Sequence, residues 1–297
     1  MKILLFGRTG QVGWELQRSL APLGELVALS SRSESLCGDL ASLDGIRATI
    51  AAVRPDVIVN AAAYTAVDKA ESETEQALLV NGAAPGAMAQ VARDSGALLV
   101  HYSTDYVFDG SGERPWTETD ATAPLGVYGA SKLEGEQRIQ AAGGRHLVFR
   151  TSWVYAARGG NFAKTMLRLA KERDQLTVVD DQFGAPTGAE LLADVTAHAI
   201  RAVQRDASLC GLYHLAASGV TTWHGYARHV LERAQALGVE LKAGPAQVKP
   251  VPSTEFKTAA RRPHNSRLAT RKLQDAFGLA LPPWQQGVDR MLTEVVQ

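Results

Sequence analysis

Residues 1–13, MKILLFGRTGQVG, decide the fold of this chain. Residues 3–6 form an apolar run that predicts a buried β-strand, and a helical apolar pattern follows that ends near Gly24. Three glycines spaced GxxGxxG stand between them. Such glycines indicate a dinucleotide site when a strand precedes them and a helix follows, because they let a pyrophosphate approach the helix N-terminus. We assign to this cofactor turn Gly7, Gly10, Gln11, Val12 and Gly13.

The rest of the chain alternates strand and helix patterns. The predicted strands are 25–30, 56–63, 97–104, 146–155, 176–181 and 212–217, and the predicted helices are 41–55 with Ser42 as N-cap, 74–96, one that contains Tyr128, 161–174, 188–203 and 223–238. A proline-rich passage at 243–256 predicts an extended loop. Continuous Val/Ile/Leu strands between helices predict an α/β fold with a Rossmann-like, doubly wound parallel sheet.

The less regular second half predicts a smaller C-terminal lobe that binds substrate. We expect an NAD(P)-binding domain over residues 1–150, to which a helix near 187–204 returns. Residues 151–297 then form mainly the substrate lobe, interleaved with the first domain. The two parts would enclose a cleft at the carboxyl edge of the sheet, where open α/β sheets bind ligands.

Composition excludes several classes of function. Lys+Arg and Asp+Glu are 31 each, so no net charge favours nucleic acid or an anionic membrane. No apolar stretch reaches the roughly 20 residues that a membrane span needs. The two cysteines lie far apart, and no His/Cys cluster indicates a transition metal. We expect a cytoplasmic protein without a metal ligand set.

The end of the second predicted strand indicates the type of cofactor. A carboxylate at this position holds the 2′-hydroxyl of NAD, whereas an arginine accommodates the 2′-phosphate of NADP. The sequence LSSRSES, residues 29–35, has Ser30 and Arg32 and no acid before Glu34. This favours NADPH over NADH; the alternative is that Arg32 is a solvated loop charge.

The segment VYGASKLEGE, residues 127–136, places Tyr128 and Lys132 one helical turn apart on one face. A ketone reduced by hydride needs a proton, which a tyrosine can donate best when its pKa lies near the working pH. A lysine nearby favours the phenolate, and lowering a pKa of about 10 by ~3 units takes roughly 4 kcal/mol. We therefore predict that Tyr128 donates the proton and that Lys132 lowers its pKa.

A third polar group is needed to polarise the carbonyl. Ser103 and Thr104 end the strand 97–104, which places both at the carboxyl edge of the sheet. Their alternative role is to bond the backbone where the strand ends. We expect His101 to be a packed strand residue.

Together these motifs resemble the extended short-chain dehydrogenase/reductases, which combine GxxGxxG, a strand-end Ser/Thr and YxxxK. Within that superfamily the chain is similar to the dTDP-4-dehydrorhamnose reductases, and the similarity runs in order from residue 7 to residue 268. The matching segments are GRTGQVG, NAAAYTAVDKAE, STDYVFDG, YGASKLEGE, RTSWVY, DDQFGAPT and RPHNSRL.

The resemblance implies NADPH-dependent reduction of the C4 ketone of dTDP-4-dehydro-6-deoxy-L-mannose to dTDP-L-rhamnose, the last step of dTDP-rhamnose biosynthesis. It implies that Thr104 polarises the carbonyl and that Lys132 also holds the nicotinamide ribose. Asp105 and Trp153 match positions that contact the sugar. Further cofactor positions implied by the resemblance are Asp39, Leu40, Ala61, Ala62, Ala63 and Thr65.

Two basic segments are candidates for the nucleotide half of the substrate. Asn161, Lys164 and Arg168 share one predicted helical face. Lys257, Arg261 and Arg262 are candidates for the diphosphate, because a planar guanidinium suits phosphate oxygens. A solvated basic face is the alternative for each. Asn161, and Arg262 in the motif RPHNS, are the residues that we assign to the substrate.

Two further expectations depend on variation within the family. Some members carry an acid where Ser30 stands and use both cofactors, so NADPH is expected here with NADH as a second choice. Some members form a homodimer whose interface holds Mg²⁺ on carboxylates. Glu15 and Glu190 match two of those positions, and the alternative is that both are surface carboxylates without metal.

Two other functions remain open. A nucleotide-sugar dehydratase or epimerase would retain its cofactor, but such enzymes place more acids beside the Ser/Thr, and only Asp105 follows Thr104 here. A non-catalytic subunit similar to the regulatory β subunit of methionine adenosyltransferase would bind a partner protein. The intact set of Thr104, Tyr128 and Lys132 argues against it.

Overall fold

A computed structural model describes residues 1–256 and 258–296, and it confirms the α/β class. The strands, in chain order, are β1 (Lys2–Phe6), β2 (Glu25–Leu29), β3 (Val57–Asn60), β4 (Leu98–Thr104), β5 (His146–Thr151), β6 (Val154–Tyr155), β7 (Leu176–Val179), β8 (Phe183–Gly184), β9 (Thr187–Gly188), β10 (Gly211–His214), β11 (Thr221–Thr222) and β12 (Val248–Val251).

Helices follow or precede nearly every strand. They are α1 (Gln11–Leu20), α2 (Leu43–Val53), α3 (Val67–Ala70), α4 (Thr74–Leu78), α5 (Ala84–Ser95), α6 (Val127–Ala142), α7 (Phe162–Glu172), α8 (Ala189–Arg205), α9 (Trp223–Ala236), α10 (Arg271–Phe277) and α11 (Trp284–Val296). The predicted N-cap of α2 is confirmed, because the Ser42 hydroxyl accepts from the N–H of Gly45.

Six strands form one parallel sheet in the order β10-β5-β4-β3-β1-β2. From β1 the chain moves to β2 on one side and then returns to β3 on the other. The order therefore reverses between β1 and β3, and the loops that leave these strands diverge at their carboxyl ends. Such a switch point is where open α/β sheets bind ligands.

Both faces of the sheet are covered, as a doubly wound fold requires. On one face the side chains of Leu5 and Val59 pack with Leu16 of α1 and Leu192 of α8. On the other face Leu4, Phe6, Ile58 and Val148 pack against residues of α2, α5 and α6. Helix α8, at 189–205, thus packs against α1 on this face of the sheet. The chain returns to the sheet to form it, because more than thirty residues separate α8 from β5 in the sequence.

A second hydrophobic cluster lies in the later part of the chain. Met166 of α7, Val230 of α9 and Leu292 of α11 are all buried in it. β7 and β12 pair in parallel beside it, so the passage 243–256, which was predicted to be a loop, contains a strand. The division at residues 150 and 151 stays a prediction.

The predicted helix 74–96 is interrupted. Leu79–Ala83 form a π-helical turn between α4 and α5, directly before Pro85. Proline has no N–H, and its ring clashes with the carbonyl four residues earlier, here that of Asn81, so the helix widens. Gly135 of α6 packs on that carbonyl so closely that a Cβ would overlap with it.

The predicted strand 146–155 is too long. β5 ends at Thr151, and β6 pairs in parallel with β9 instead of continuing in the large sheet. Between them Trp153 has φ of 49°, a left-handed conformation that bulky residues rarely adopt. This turn takes the chain out of the sheet and sets the indole at the sheet's carboxyl edge.

Candidate active site

The glycine turn leaves β1 at the switch point and is built for close approach. The N–H groups of Gly7 and Arg8 both donate to the carbonyl of Leu29, at 2.9 and 3.0 Å. Gly7 has φ of 89°, and a Cβ there would lie 2.7 Å from the nitrogen of Ala62. A Cβ on Gly13 would overlap with the Gly7 carbonyl oxygen. Only glycine fits at these two positions.

The N-terminus of α1 fits a cofactor pyrophosphate. Gly10 is the N-cap and has no side chain to occupy the first N–H groups of the helix. Uncapped N–H groups and the helix dipole favour an anion. Because the glycines have no side chains, such an anion can approach these N–H groups closely.

Gly13→Ala tests this cradle. We expect NADPH binding to weaken at least tenfold, because the added methyl group overlaps with the turn and must displace it. Gly188→Ala is the matched control: Gly188 is the N-cap of α8, outside the cofactor turn, and a Cβ there meets the Tyr155 hydroxyl at an ordinary 3.4 Å. Cofactor titration of both variants by fluorescence measures the difference. Equal affinity of the two variants would contradict the assigned turn.

The cofactor residues predicted at positions 30, 32, 39 and 40 lie together next to this turn. Ser30 follows β2, and its hydroxyl accepts from the N–H of the exposed Arg32 at 3.3 Å. Gly38 packs on the Ser30 carbonyl so closely that a Cβ would overlap with it. This brings the exposed Asp39 and the buried Leu40 to the end of β2. The segment 61–65 follows β3 on the other side of β1.

The three predicted catalytic residues come from two elements. Thr104 is the last residue of β4, and Tyr128 and Lys132 lie on the first turns of α6. Gly129 allows α6 to pack on the turn after β4, since a Cβ there would overlap with the carbonyl of Tyr106. The Tyr106 and Tyr128 rings meet edge to face, with centroids 5.4 Å apart.

The Thr104 hydroxyl makes two hydrogen bonds within the protein. It accepts from the N–H of Tyr106 at 3.2 Å, which is the expected bond to the backbone at a strand end. It also donates to Oδ1 of Asp105 at 3.1 Å. The neighbouring Ser103 hydroxyl is buried and has no hydrogen-bond partner among the residues that the structure describes.

The pKa of Tyr128 is raised to about 12, not lowered. Burial is the main cause and the charge of Asp105 adds to it, while a hydrogen bond with Thr104 acts in the opposite direction. Lys132 does not lower this pKa here because its Nζ points elsewhere, to the carbonyl of Tyr102 at 2.6 Å and to Nε2 of His101 at 3.2 Å. The phenol therefore holds its proton.

Asp105 is an unusual carboxyl group. It is 2% exposed, and its Oδ2 has no hydrogen-bond partner within the described part of the chain. Burial raises its pKa to about 6, although hydrogen bonds with Ser266 and Thr104 act in the opposite direction. A buried, unpaired oxygen beside Thr104 can bind a hydroxyl group of a ligand.

The Trp153 side chain forms a wall with two other elements. Its ring stacks on Trp223 of α9, with centroids 3.8 Å apart, and Trp223 donates from Nε1 to Gln182 at 3.1 Å. Gly184 lies against the Trp153 ring, where a Cβ would come within 2.9 Å. Aromatic faces of this kind pack well against the apolar face of a sugar.

The three residues predicted on one face of α7 all have partners within the protein. Asn161 is the N-cap and accepts from the N–H of Lys164 at 3.1 Å; its Nδ2 donates to Ala156 at 2.7 Å and to Gln11 at 3.3 Å. Lys164 Nζ donates to the Ala157 carbonyl. The exposed Arg168 pairs with Glu172 one turn along, so it is a solvated charge. Asn161 thus lies beside the cofactor turn.

The second basic segment holds one paired arginine. Arg262 forms an ion pair with Asp68 at 2.8 Å, so its guanidinium contacts α3. Arg261 is exposed. The prediction for Lys257 lies outside the described residues.

The carboxylates considered for Mg²⁺ lie near one another. Burial and the charges of Glu294, Glu15 and Asp194 raise the pKa of Glu190, against which Arg290 acts at 3.4 Å. Among residues 1–256 and 258–296, no three or more His, Cys, Asp or Glu side chains are arranged to hold a metal ion.

Comparison with known proteins identifies the family. The family described as RmlD substrate binding domain matches residues 1–297. The chain belongs to this family. The dTDP-4-dehydrorhamnose reductase of Escherichia coli K12 is 60% identical over 295 residues, which cover 99% of this chain and 98% of that protein.

Two solved structures of RmlD-type proteins agree with the fold. A dTDP-4-dehydrorhamnose reductase from Clostridium acetobutylicum has a TM-score of 0.90 at 32% identity and covers 100% of both chains. The Bacillus anthracis protein of that name, in complex with NADP, has a TM-score of 0.88 at 33% identity and covers 99% of both chains. The predicted resemblance is confirmed.

One buried residue of this RmlD-family site was missed from the sequence. Asn81, in the π-helical turn, donates to the carbonyl of Tyr64 and to the Ser131 hydroxyl at 3.0 Å, and accepts from the N–H of Tyr64 at 2.9 Å. Asn81 therefore links the loop after β3 to α6 by hydrogen bonds. The proline inside a helical pattern was the available signal, because π-helical turns often mark functional sites.

Proposed function

We infer that this chain reduces the C4 ketone of dTDP-4-dehydro-6-deoxy-L-mannose with NADPH to give dTDP-L-rhamnose, the last step of dTDP-rhamnose biosynthesis. The observation that carries the inference is the 60% identity to the Escherichia coli reductase over nearly the whole of both chains. The chain is thus an NAD(P)H-dependent oxidoreductase. Thr104, the last residue of β4, and the glycine turn after β1 lie at the same carboxyl edge of the sheet, which supports this chemistry.

Incubation with NADPH deuterated at its transferable position tests the reaction. The product dTDP-sugar should contain one deuterium, attached to C4, because the hydride adds to the carbonyl carbon. Mass spectrometry and NMR of the product measure this. A product without deuterium at C4, or unchanged sugar, would contradict the inferred reaction.

The proposed mechanism assigns one task to each polar side chain. The Thr104 hydroxyl donates to the carbonyl oxygen of the sugar and so stabilises the negative charge that develops there. The phenol of Tyr128, protonated because burial raises its pKa to about 12, gives its proton to the same oxygen. Lys132, one turn along α6, would hold the nicotinamide ribose, and the Tyr128 phenolate left after the transfer regains a proton from water. When bound, NADPH supplies the hydride.

Cofactor selection depends on the loop after β2. Arg32 is exposed there, with Ser30 beside it, and no carboxylate stands in the segment 29–33. A guanidinium attracts the 2′-phosphate of NADPH, and no acid repels it. NADH, which lacks that phosphate, remains a usable second cofactor.

Arg32→Ala should weaken NADPH binding and spare NADH. A charge-assisted hydrogen bond contributes about 1.5–3 kcal/mol, so the expected loss for NADPH is roughly 10–100-fold. Titration of both cofactors into the variant and the unchanged protein measures it. An equal loss for both cofactors would show that Arg32 does not read the phosphate.

On the substrate side, we propose that the buried Oδ2 of Asp105 and the Trp153 indole contact the sugar, and that Asn161 and Arg262 contact the nucleotide. Arg262 is paired with Asp68 in this structure. For Arg262 to bind the diphosphate, its ion pair with Asp68 must open, or the guanidinium must contact Asp68 and the phosphate oxygens at the same time.

The two rival functions have less support. A dehydratase or epimerase needs acids beyond Asp105, and the residue after it is Tyr106. A non-catalytic subunit has no need of a threonine, a tyrosine and a lysine together at one sheet edge. Cofactor that copurifies tightly would favour the first rival, and a stable complex with a synthetase the second.

Further expectations accompany the proposal. We propose a cytoplasmic homodimer without nucleic-acid or membrane partners, in which Glu15 and Glu190 either hold Mg²⁺ at the interface or are surface carboxylates without metal. Within the described ranges, no helix has both the length and the apolar character needed to cross a membrane. Domain limits at 1–150 and 151–297, with α8 packed on the first domain, are proposed on the basis of the two hydrophobic clusters.

A further inference from the structure

A row of buried polar groups joins the loop after β3 to Lys132. The N–H of Ala62 donates to Oδ1 of Asn60 at 3.2 Å, and Nδ2 of Asn60 lies 3.1 Å from Nδ1 of His101. Nε2 of His101 lies 3.2 Å from Lys132 Nζ, which donates to the Tyr102 carbonyl at 2.6 Å. The Asn60, His101 and Lys132 side chains are at most 2% exposed.

The backbone N–H of Ala62, at one end of this row, fixes which group of each side chain donates and which accepts. A backbone N–H can only donate, so the oxygen of Asn60 faces Ala62 and its NH₂ group faces His101. Nδ1 of His101 must therefore accept. Burial, the largest cause, holds the pKa of His101 well below its usual value, so the ring is neutral and has a single N–H. That N–H is on Nε2 and points at Lys132.

We propose that His101 is a positioning residue that directs its Nε2–H at Lys132 Nζ and thereby favours the neutral amine of Lys132, with Asn60 setting the direction of the bond. In this arrangement every group of the row is satisfied: the amine accepts from His101 and donates to Tyr102. An ammonium has no lone pair with which to accept that bond.

The other groups near Lys132 fit this proposal. Burial lowers the pKa of Lys132 to about 8, against which Glu136, on the same helix, acts. Glu136 is itself engaged by Arg150 at 2.6 Å. Other titratable side chains on α6 and on the elements packed against it are Tyr128, one turn earlier on α6, Tyr102 of β4, and Asp105 in the turn after β4. A lysine whose two forms are close in free energy can pass a proton on and regain it.

The ¹⁵N NMR spectrum of the imidazole rings tests the direction without any turnover. The chain has seven histidines, and the His101 signals are assigned from sequential NMR. In the cofactor-free protein we expect a proton on Nε2 and an unprotonated Nδ1. A proton on Nδ1, or a charged ring near neutral pH, would overturn the proposal. The measurement uses the unaltered chain, so it does not depend on the stability of a variant.

Asn60→Asp tests the effect on Lys132 by kinetics, and this part rests on the proposed function. The carboxylate accepts from both Ala62 and His101, which moves the ring proton to Nδ1 and lets Nε2 accept from an ammonium. We expect the alkaline limb of the pH dependence of kcat/KM to move up by about one pH unit, a tenfold change in the proton equilibrium of Lys132.

Two further variants separate this effect from simple charge. In Asn60→Asp/His101→Phe the ring cannot transmit the change, so most of the shift should disappear. His214→Gln is the matched control: His214 is also buried in the sheet, but its Nδ1 contacts the Trp116 carbonyl, and the limb should stay in place. No shift in Asn60→Asp, or the same shift with and without His101, would overturn the proposal. If the unaltered chain fails to turn over the sugar, the proposed function fails while the NMR result still decides the direction.

Discussion

Tyr128→Phe should lower kcat by roughly 10²–10⁴-fold, the usual contribution of a positioned general acid. The variant keeps the ring that meets Tyr106 edge to face, and it loses only the hydroxyl. NADPH affinity should therefore change less than twofold. Steady-state kinetics and cofactor titration of the same preparation measure the two quantities.

Tyr213→Phe is the matched control for this substitution. The Tyr213 hydroxyl donates to the Leu209 carbonyl at 2.9 Å, away from the catalytic residues, so turnover should remain near normal. If Tyr128→Phe kept more than about a tenth of the activity, another group would have to supply the proton, and Asp105 would be the first candidate.

Thr104→Val should lower kcat by about 10²–10³-fold, as removal of one donor to a developing oxyanion typically does. Valine has the shape of threonine, but it cannot donate to the carbonyl oxygen. The bond from the Tyr106 N–H to the hydroxyl is lost as well, so thermal unfolding should be recorded beside the kinetics. The chemical account predicts a large kinetic effect with a small change in Tm.

Two neighbouring substitutions control for the Thr104 result. Thr104→Ser keeps the hydroxyl and should retain most of the activity. Ser103→Ala removes a hydroxyl that has no partner in the described structure and should leave kcat unchanged. A Thr104→Val variant as active as Ser103→Ala would remove Thr104 from the mechanism.

The sequence predicts the sheet and its glycine turn because both depend on local patterns. Buried parallel strands are continuous apolar runs, and the glycines at positions 7, 10 and 13 stand directly after the first run. The i, i+4 spacing likewise places Tyr128 and Lys132 on one face. The roles assigned to individual residues come from the family motifs, because the hydrophobic periodicity carries no information on them.

The missed features all depend on contacts between distant segments. The spacing of Lys132 does not reveal that its Nζ turns to Tyr102 and His101, because those partners come from β4. For the same reason burial and Asp105 raise the pKa of Tyr128 in this structure, and its lowering by Lys132 together with the positive nicotinamide of the oxidised cofactor stays a prediction. Trp153 departs from a strand pattern because a left-handed turn, stabilised by packing on Trp223, ends β5 early.

The most direct test of the account follows NADPH absorbance after addition of enzymatically prepared dTDP-4-dehydro-6-deoxy-L-mannose, with the unaltered chain and Tyr128→Phe side by side. The account predicts that the unaltered chain oxidises NADPH in proportion to the added sugar, whereas the variant binds NADPH and scarcely oxidises it. NADPH that stays bound but is not oxidised by the unaltered chain would contradict the account.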